Sequence, residues 1–169
     1  MKKIILPLIT VLLSGIAVNA QEFKNAGFEK GTTEGWNTWQ KKEVKVIKDK
    51  KNVHSGTYAA QVNNGLWQGF NIKYTEGAKY KITAYTKYSW GEGPCLRVEY
   101  YNPESKKMEN IKEVDIVKDR KAYKATVIEF EAKKNGYSYR FTAVPGKGKG
   151  GLFFIDDIKI EKINWQPDQ

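Results

Sequence analysis

The sequence predicts an all-β protein, folded as an antiparallel β-sandwich or barrel. Short runs of residues alternate between apolar and polar positions with a period of two, as half-buried strands do. Glycine and asparagine separate these runs at frequent intervals, for example in the turn Asn63-Asn64-Gly65. No stretch presents a sustained apolar face at helical spacing. These three observations together favour strands joined by turns over any fold that contains packed helices.

Eight runs are predicted to be strands, each bounded by turn residues. They cover residues 41–48, 58–62, 66–72, 79–88, 96–101, 124–132, 137–144 and 151–161. The glycine-rich segment 145–151 leads into a strand and lacks the spacing and the following helix of a phosphate-binding loop, so we interpret it as a basic loop.

The first twenty residues have the pattern of a secretory signal peptide, with cleavage after Ala20. A basic start is followed by an apolar run, about half the roughly 20 residues that a membrane-spanning helix needs. We therefore expect a secreted, periplasmic or cell-surface bacterial protein without a membrane span. Removing 20 of the 169 residues leaves 149, which we assign to one domain over residues 21–163 and a short tail over 164–169.

The chain is strongly basic, with a formal charge of +10 that becomes +8 without Lys2 and Lys3. Outside the cytoplasm this charge favours anionic partners, such as acidic polysaccharide, anionic lipid headgroups or nucleic acid. No nucleic-acid-binding motif is present and export argues against such a partner, so none is expected.

Few residues are available for catalysis. The chain has one histidine, His54, and one cysteine, Cys95, so no histidine metal cluster and no internal disulfide can form. His54 is distant in sequence from Cys95, which we interpret as a small buried strand residue. Glu99 is the best candidate for one carboxylate of a glycoside-hydrolase pair, but the sequence indicates no partner for it. We therefore predict no catalytic residue.

Strand parity divides the residues of the central strands between two faces. The predicted core set is Tyr80, Ile82, Ala84, Leu96, Val98 and Tyr100. The opposite face is predicted to combine aromatic rings, arginine and a carboxylate, which suit a hydroxyl-rich ligand. Its residues are Thr83, Tyr85, Lys87, Arg97, Glu99, Tyr101 and Arg140.

Four blocks in a fixed order resemble a known family. The chain has Asn25-Ala26-Gly27-Phe28-Glu29 followed by Gly35-Trp36, then Ser55-Gly56-Thr57-Tyr58, then the stretch 77–85, and finally Asp156-Asp157-Ile158. This order resembles secreted carbohydrate-binding modules of the jelly-roll, galactose-binding-like type, especially families four, nine and twenty-two. The resemblance covers nearly the whole mature chain and implies a jelly-roll sandwich that binds a polysaccharide, expected here to be a monomer.

The resemblance also implies one structural calcium ion that ties the first strand to the last. Carboxylates and backbone carbonyls would supply its hard oxygen ligands. Parity favours Asp156 over Asp157, because Asp156 shares a face with Ile158 in a regular strand. The implied ligand positions are Glu29, Gly31, Thr57 and Asp156.

The tryptophans complete the predicted ligand site. The resemblance implies that Trp67 and Gln68 form an aromatic-plus-amide pair facing the ligand. Trp90, in the predicted loop after the Tyr85 strand, is positioned to wall the cleft. Trp36 is expected in the core or at the calcium corner, and Trp39 is left open. The full predicted ligand-binding set is Trp67, Gln68, Tyr85, Lys87, Trp90, Arg97, Glu99, Tyr101 and Arg140.

The leading hypothesis from the sequence is a secreted, non-catalytic protein that binds a polysaccharide, with the charge favouring an acidic one. One alternative is a cell-surface or adhesive sandwich that binds a protein partner, which predicts Trp67 and Trp90 buried or covered. Another is a small glycan-active hydrolase, which predicts two carboxylates at catalytic separation.

Overall fold

The computed structural model describes residues 22–39, 44–134, 137–146 and 150–163. The predicted signal peptide and the tail lie outside the described residues. Within them the chain forms ten strands. These are β1 (Asn37–Thr38), β2 (Lys45–Ile47), β3 (Ala59–Val62), β4 (Leu66–Asn71), β5 (Lys79–Gly91), β6 (Cys95–Asn102), β7 (Lys107–Asp115), β8 (Lys124–Glu131), β9 (Ser138–Val144) and β10 (Gly151–Ile163).

The strands form two antiparallel five-stranded sheets. The first sheet has the order β1-β4-β9-β6-β7, and the second has the order β2-β3-β10-β5-β8. The predicted antiparallel sandwich is therefore confirmed. The described part of the chain contains no helix of the length and apolarity that a bilayer crossing requires.

The core between the two sheets is filled by the inward-facing residues of both. Phe23, Phe28, Trp36 and Phe141 form an aromatic cluster at one end, with neighbouring ring centroids 5.5–6.2 Å apart. Trp36 is only 7 % exposed, and its Nε1 donates a hydrogen bond to the Asn25 carbonyl oxygen. Trp36 therefore lies in the core, which is one of the two positions that the sequence predicted for it.

Two strands are not predicted by the sequence pattern, the two-residue β1 and the nine-residue β7. Strand β7 lies at the edge of the first sheet and pairs only with β6 there, through a register shift between Val98 and Glu99. None of its residues is fully buried. An edge strand with polar residues on both faces has no clear apolar alternation, which is why the period-two pattern did not reveal it.

Strand β10 contains a bulge that changes which residues share a face. Asp156 pairs with Tyr85 of β5, but the next paired residue is Lys159, opposite Thr83. Strand β10 thus contains one residue more than β5 at this point, and Asp157 within the bulge has a positive φ of 47°. The expectation that Asp156 shares a face with Ile158 is wrong, because the bulge reverses the parity after Asp156.

Candidate functional site

The outer face of the first sheet carries a band of aromatic and polar side chains in register across three strands. Trp67 of β4 lies opposite Thr142 of β9, and Thr142 lies opposite Arg97 of β6. In the neighbouring row Arg140 of β9 lies opposite Glu99 of β6. Antiparallel pairing places the side chains of such rows on one side of the sheet. These residues form what we call the Trp67 face.

Arg140 is directed towards the ring of Trp67. Its guanidinium carbon lies 5.3 Å from the ring centroid, within the range of a cation–π contact. The partner of Arg140 on β4 is Gly69, which has no side chain to occupy the space between them. The arrangement therefore holds Trp67 in one orientation at the surface of the sheet.

Both arginines of the Trp67 face are paired with glutamates. Arg140 donates two hydrogen bonds to Glu99, of 2.8 and 2.9 Å, and the Thr142 hydroxyl donates a third of 2.8 Å. Arg97 Nε donates to Glu113 Oε2 at 2.6 Å. Half-buried, charge-assisted pairs of this kind fix the positions of their donors and acceptors. The face is thus polar and ordered, with its arginine charges compensated.

Trp39 lies next to this face, although the sequence left its role open. Its ring lies against Gly65, where an added Cβ atom would collide with it. The Trp39 amide donates to the Gly65 carbonyl oxygen at 3.0 Å, and the Asn64 side chain donates to the Trp39 carbonyl oxygen at 2.6 Å. Gly65 stands two residues before Trp67, so two indole rings lie near the start of β4. The glycine of the Asn63-Asn64-Gly65 turn was the available sequence signal.

Tyr101 and Trp90 are both exposed but differ in position. Tyr101 is 42 % exposed and continues the outward row of β6 beyond Glu99. Trp90 is 51 % exposed and belongs to β5 in the second sheet, opposite Leu152, rather than to a loop as expected.

Gln68 faces inward, contrary to the prediction that it faces a ligand together with Trp67. It is only 6 % exposed, and its amide both donates to the Lys24 carbonyl oxygen and accepts from the Lys24 amide. Successive strand residues point to opposite faces, so an outward Trp67 requires an inward Gln68. Gln68 fastens the N-terminal segment to β4.

Tyr85 and Lys87 do not lie with the arginines, contrary to the predicted common face. They belong to β5 in the second sheet, whereas Arg97 belongs to β6 in the first. Both strands direct these residues outward, but the two outer faces are on opposite sides of the sandwich. Parity separates inward from outward residues within a strand and does not indicate which sheet the strand joins.

The two groups considered for catalysis are both engaged structurally. Cys95 is fully buried, and burial together with nearby Glu113 raises the pKa of its thiol to about 11, so that the thiol stays protonated. Both carboxylate oxygens of Glu99 accept hydrogen bonds from Arg140.

Glu29 connects the N-terminal segment to the turn before β3. Its carboxylate accepts hydrogen bonds from the amides of Thr57 and Tyr58, each 3.1 Å long. Gly31, the other predicted ligand position in this segment, lies against the Tyr58 ring. Thr57 thus contacts Glu29 through its amide, whereas the resemblance implied a calcium ligand from its carbonyl oxygen.

Asp156 is fully buried beneath the same turn. Its carboxylate accepts hydrogen bonds from the amides of His54, Ser55 and Asp157, at 3.0, 3.3 and 2.8 Å. Burial, and then the nearby charge of Asp157, raise the pKa of Asp156 to about 6. The folded protein therefore holds an anionic group whose charge is poorly compensated.

Three acidic side chains lie around Gly27 at this corner, Asp156 and Asp157 with a carboxylate oxygen and Glu29 with its Cγ atom. A Cβ atom on Gly27 would lie within 4 Å of atoms of Glu29, Asp156 and Asp157. Among the described residues, no group of three or more His, Cys, Asp or Glu side chains has the arrangement of a metal site. The donor chemistry fits a hard cation, provided that backbone carbonyls or water complete the ligand set.

Comparison with solved structures shows the fold. The xylan-binding domain CBM22-1 of Xyn10C from Paenibacillus barcinonensis is 14 % identical, with a TM-score of 0.64 over 83 % of this chain and 94 % of that one. TmCBM61, solved in complex with β-1,4-galactotriose, is 22 % identical, with a TM-score of 0.57 over 85 % of this chain and all of that one. A cyclase from Fischerella sp. TAU is 17 % identical, with a TM-score of 0.62 over 83 % and 95 %.

A comparison with curated proteins found no match.

A family model described as a carbohydrate binding domain matches residues 20–147, which is most of the chain. The predicted resemblance to carbohydrate-binding modules is thereby confirmed, and the chain belongs to this family of carbohydrate-binding domains.

Proposed function

We propose that the protein is an exported, non-catalytic polysaccharide-binding protein that holds its ligand on the Trp67 face. The observation that carries this proposal is the assembly of Trp67, Arg140 and Glu99, an oriented indole beside a fixed set of polar groups. A flat ring packs against the apolar face of a sugar, while fixed polar groups recognise its hydroxyls. Membership of the carbohydrate-binding family supports the same function.

The Trp67 face suits a polysaccharide that carries little charge. Arg97 and Arg140 are each paired with a glutamate, so an anionic sugar would have to compete with Glu113 or Glu99 for them. Sugar hydroxyls both donate and accept hydrogen bonds, so a neutral sugar could contact these pairs without displacing either partner. The relatives point the same way, since one is a xylan-binding domain and another was solved with β-1,4-galactotriose.

Binding without catalysis is part of the proposal. Glu99 is the only acidic side chain that the sequence suggested for hydrolysis, and its bonds to Arg140 and Thr142 favour a fixed structural role. A hydrolase would need a second carboxylate across the glycosidic bond.

A structural calcium ion at the corner of Glu29 and Asp156 also belongs to the proposal. The two carboxylates and nearby carbonyl oxygens would hold it, and its charge would offset that of the buried Asp156. We expect EDTA to lower the melting temperature of the wild-type protein and to have no effect on Asp156→Asn. An unchanged melting temperature, with no metal detected by elemental analysis, would rule the ion out.

The experiment for the binding function is a polysaccharide screen of residues 21–169 by affinity electrophoresis. Xylan, β-1,4-galactan and cellulose derivatives are the neutral probes, with Trp67→Ala and Tyr85→Ala run beside the wild type. These variants remove one aromatic ring from each of the two outer faces, so each is the matched control of the other. We expect Trp67→Ala to weaken binding about tenfold or more, the loss typical of a central aromatic anchor, and Tyr85→Ala to retain it.

The other outcomes have clear meanings. Loss in Tyr85→Ala alone would move the site to the second sheet. Absence of binding to every glycan would favour a protein partner, the alternative that the sequence left open.

A further inference from the structure

Two lysine-rich segments lie together on the second-sheet side of the sandwich. One is Lys48-Asp49-Lys50-Lys51-Asn52, between β2 and β3, and the other is Lys118-Asp119-Arg120-Lys121-Ala122-Tyr123-Lys124, which leads into β8. They are 66 residues or more apart in sequence. Only the fold brings them together.

Specific contacts join the two segments around the end of β5. The Tyr123 hydroxyl donates to the Asn52 carbonyl oxygen at 2.8 Å, and Lys87 Nζ of β5 donates to the Lys51 carbonyl oxygen at 2.6 Å. The Tyr88 amide of β5 donates to the Asp119 carbonyl oxygen at 3.0 Å. The two segments and Lys87 are therefore one continuous surface, which we call the basic corner.

The basic corner concentrates much of the excess charge of the chain. It contains eight basic side chains and two acidic ones. Asp49 and Asp119 both accept hydrogen bonds from the backbone of their own segments, which caps the two turns. Of the basic residues, six are exposed and form no ion pair with a described residue. They are Lys48, Lys50, Lys51, Lys118, Arg120 and Lys121.

A depression with an aromatic ring beside it adjoins these lysines. It has a volume of about 540 Å³, and its lining includes Lys48, Lys50 and His54. The imidazole of His54 lies flat on the ring of Tyr85, with the centroids 3.8 Å apart and the planes 14° from parallel. The corner thus combines positive charge with a supported flat ring at one edge of a concave surface.

We propose that the basic corner is a second binding surface, whose ligand is an anionic polysaccharide bearing carboxylate or sulfate groups. Lysine ammonium groups are mobile point charges that follow a chain of anionic groups without requiring one geometry. A depression with a flat ring accommodates a sugar unit between such contacts. The Trp67 face, where the arginines are already paired, lacks this free charge.

The observations favour a polysaccharide over an anionic bilayer. Proteins that bind the surface of a bilayer insert apolar side chains below the headgroups. Among the described residues of the two segments, only small or polar side chains and the half-buried Tyr123 are present, and one exposed apolar residue, Val117, precedes the second segment.

This surface is separate from the one assigned to the proposed function. Lys87 and Tyr85 project outward from the second sheet, whereas Trp67 projects outward from the first. The two proposals can therefore fail independently, because variants of one surface leave the other unchanged.

The test uses dextran sulfate and polygalacturonate as anionic probes, with uncharged dextran as the backbone-matched control for the sulfated polymer. The corner variant combines Lys50→Gln, Lys51→Gln, Lys118→Gln and Lys121→Gln. The control variant removes the same charge from exposed lysines elsewhere, by Lys73→Gln, Lys107→Gln, Lys133→Gln and Lys162→Gln. Binding is measured by biolayer interferometry at 50 and 200 mM salt, with Trp67→Ala in parallel and melting curves to verify folding.

We expect the corner variant to bind both anionic polymers about tenfold or more weakly at low salt, with a reduced dependence on salt. The control variant and Trp67→Ala should bind them nearly as well as the wild type, and dextran should not bind at the corner. Equal losses in the corner and control variants would overturn the proposal, because the attraction would then come from overall charge.

Three further results would also overturn it. One is the absence of wild-type binding to either anionic polymer. Another is loss of that binding in Trp67→Ala but not in the corner variant, which would place the anionic ligand on the first sheet. The last is binding to phosphatidylglycerol-containing vesicles, abolished in the corner variant, without binding to either polymer, which would identify the corner as a bilayer contact.

Discussion

Glu99 is the residue on which the organisation of the Trp67 face most depends. Its carboxylate accepts hydrogen bonds from Nε and Nη2 of Arg140 and from the hydroxyl of Thr142, and Arg140 in turn lies over Trp67. The side chains of Arg140 and Glu99 are 25 % and 14 % exposed, so water screens this pair only partly. One carboxylate thus positions an arginine, a threonine and, through the arginine, an indole ring.

The substitution Glu99→Gln should lower the free energy of unfolding by about 1–3 kcal/mol, because it leaves the half-buried Arg140 without a counter-charge. Urea denaturation measures this loss. The matched control is Glu131→Gln, which removes a glutamate from the exposed pair with Lys79 at 3.8 Å and should cost less than about 0.5 kcal/mol. Equal losses in the two variants would show that the Arg140 pair is no stronger than a surface pair.

Asp156 should give the protein an identifiable pH dependence in the absence of metal. Its pKa is 3.8 in the unfolded reference and about 6 when folded, so the folded state binds more protons between these values. The free energy of unfolding from this group therefore falls as the pH rises from about 4 to about 6, by on the order of 3 kcal/mol, and is level above that.

The variant Asp156→Asn cannot titrate, so its stability in EDTA should decline less than that of the wild type over this interval. Urea denaturation at pH 4, 5, 6 and 7 yields the difference between the two curves, from which the other carboxylates cancel. Parallel curves would mean that Asp156 titrates normally in the folded protein.

At the scale of strands, the sequence predicted most of the sandwich but could not assign strands to sheets. The alternation in β5 and β6 correctly placed Ile82, Ala84, Leu96 and Val98 in the core. Those strands join different sheets, and the choice depends on long-range pairing that local alternation does not encode. For this reason Tyr85 was grouped with residues on the opposite side of the molecule.

Bulges and edges account for the other differences at this scale. The extra residue in β10 reversed the expected parity after Asp156, and the edge strand β7 has no buried residue to mark it. The Trp67–Arg140 contact likewise depends on a cross-strand glycine, Gly69, that no motif indicated. Strand alternation therefore predicted most of the outward-facing residues correctly, but it did not predict which of them lie next to each other.

The turn before β3 offers a test of how closely it is packed on the N-terminal segment. Gly56 has a φ of +63°, and a Cβ atom there would lie 2.5 Å from Glu29 Oε1. Gly56→Ala should lower the free energy of unfolding by about 1–2 kcal/mol more than Gly150→Ala, since Gly150 shares the positive φ of +86° but has no atom within 4 Å of the added carbon. Thermal or urea unfolding of both variants measures the difference. Similar losses would mean that Glu29 is not held against this turn.

At the scale of the whole molecule, the sandwich separates two kinds of surface. The outer face of the first sheet presents tryptophan and compensated ion pairs, whereas the second-sheet side carries the uncompensated lysines of the basic corner. Short-range stacking and hydrogen bonding would act on the first, and long-range attraction on the second. A protein with both surfaces could hold two different polysaccharides, or two parts of one mixed polymer, at the same time.

Binding of a glycan to the Trp67 face can be observed directly by an NMR titration of the five tryptophan indole N–H signals. The titrant is an oligosaccharide cut from the neutral polysaccharide that binds the wild type best. We expect the Trp67 signal to shift with saturation, together with that of neighbouring Trp39. The signal of Trp36, buried and hydrogen-bonded to Asn25, should stay in place as an internal reference. A saturating shift at Trp90 with Trp67 unmoved would show that the ligand binds elsewhere on the sandwich and not on the Trp67 face.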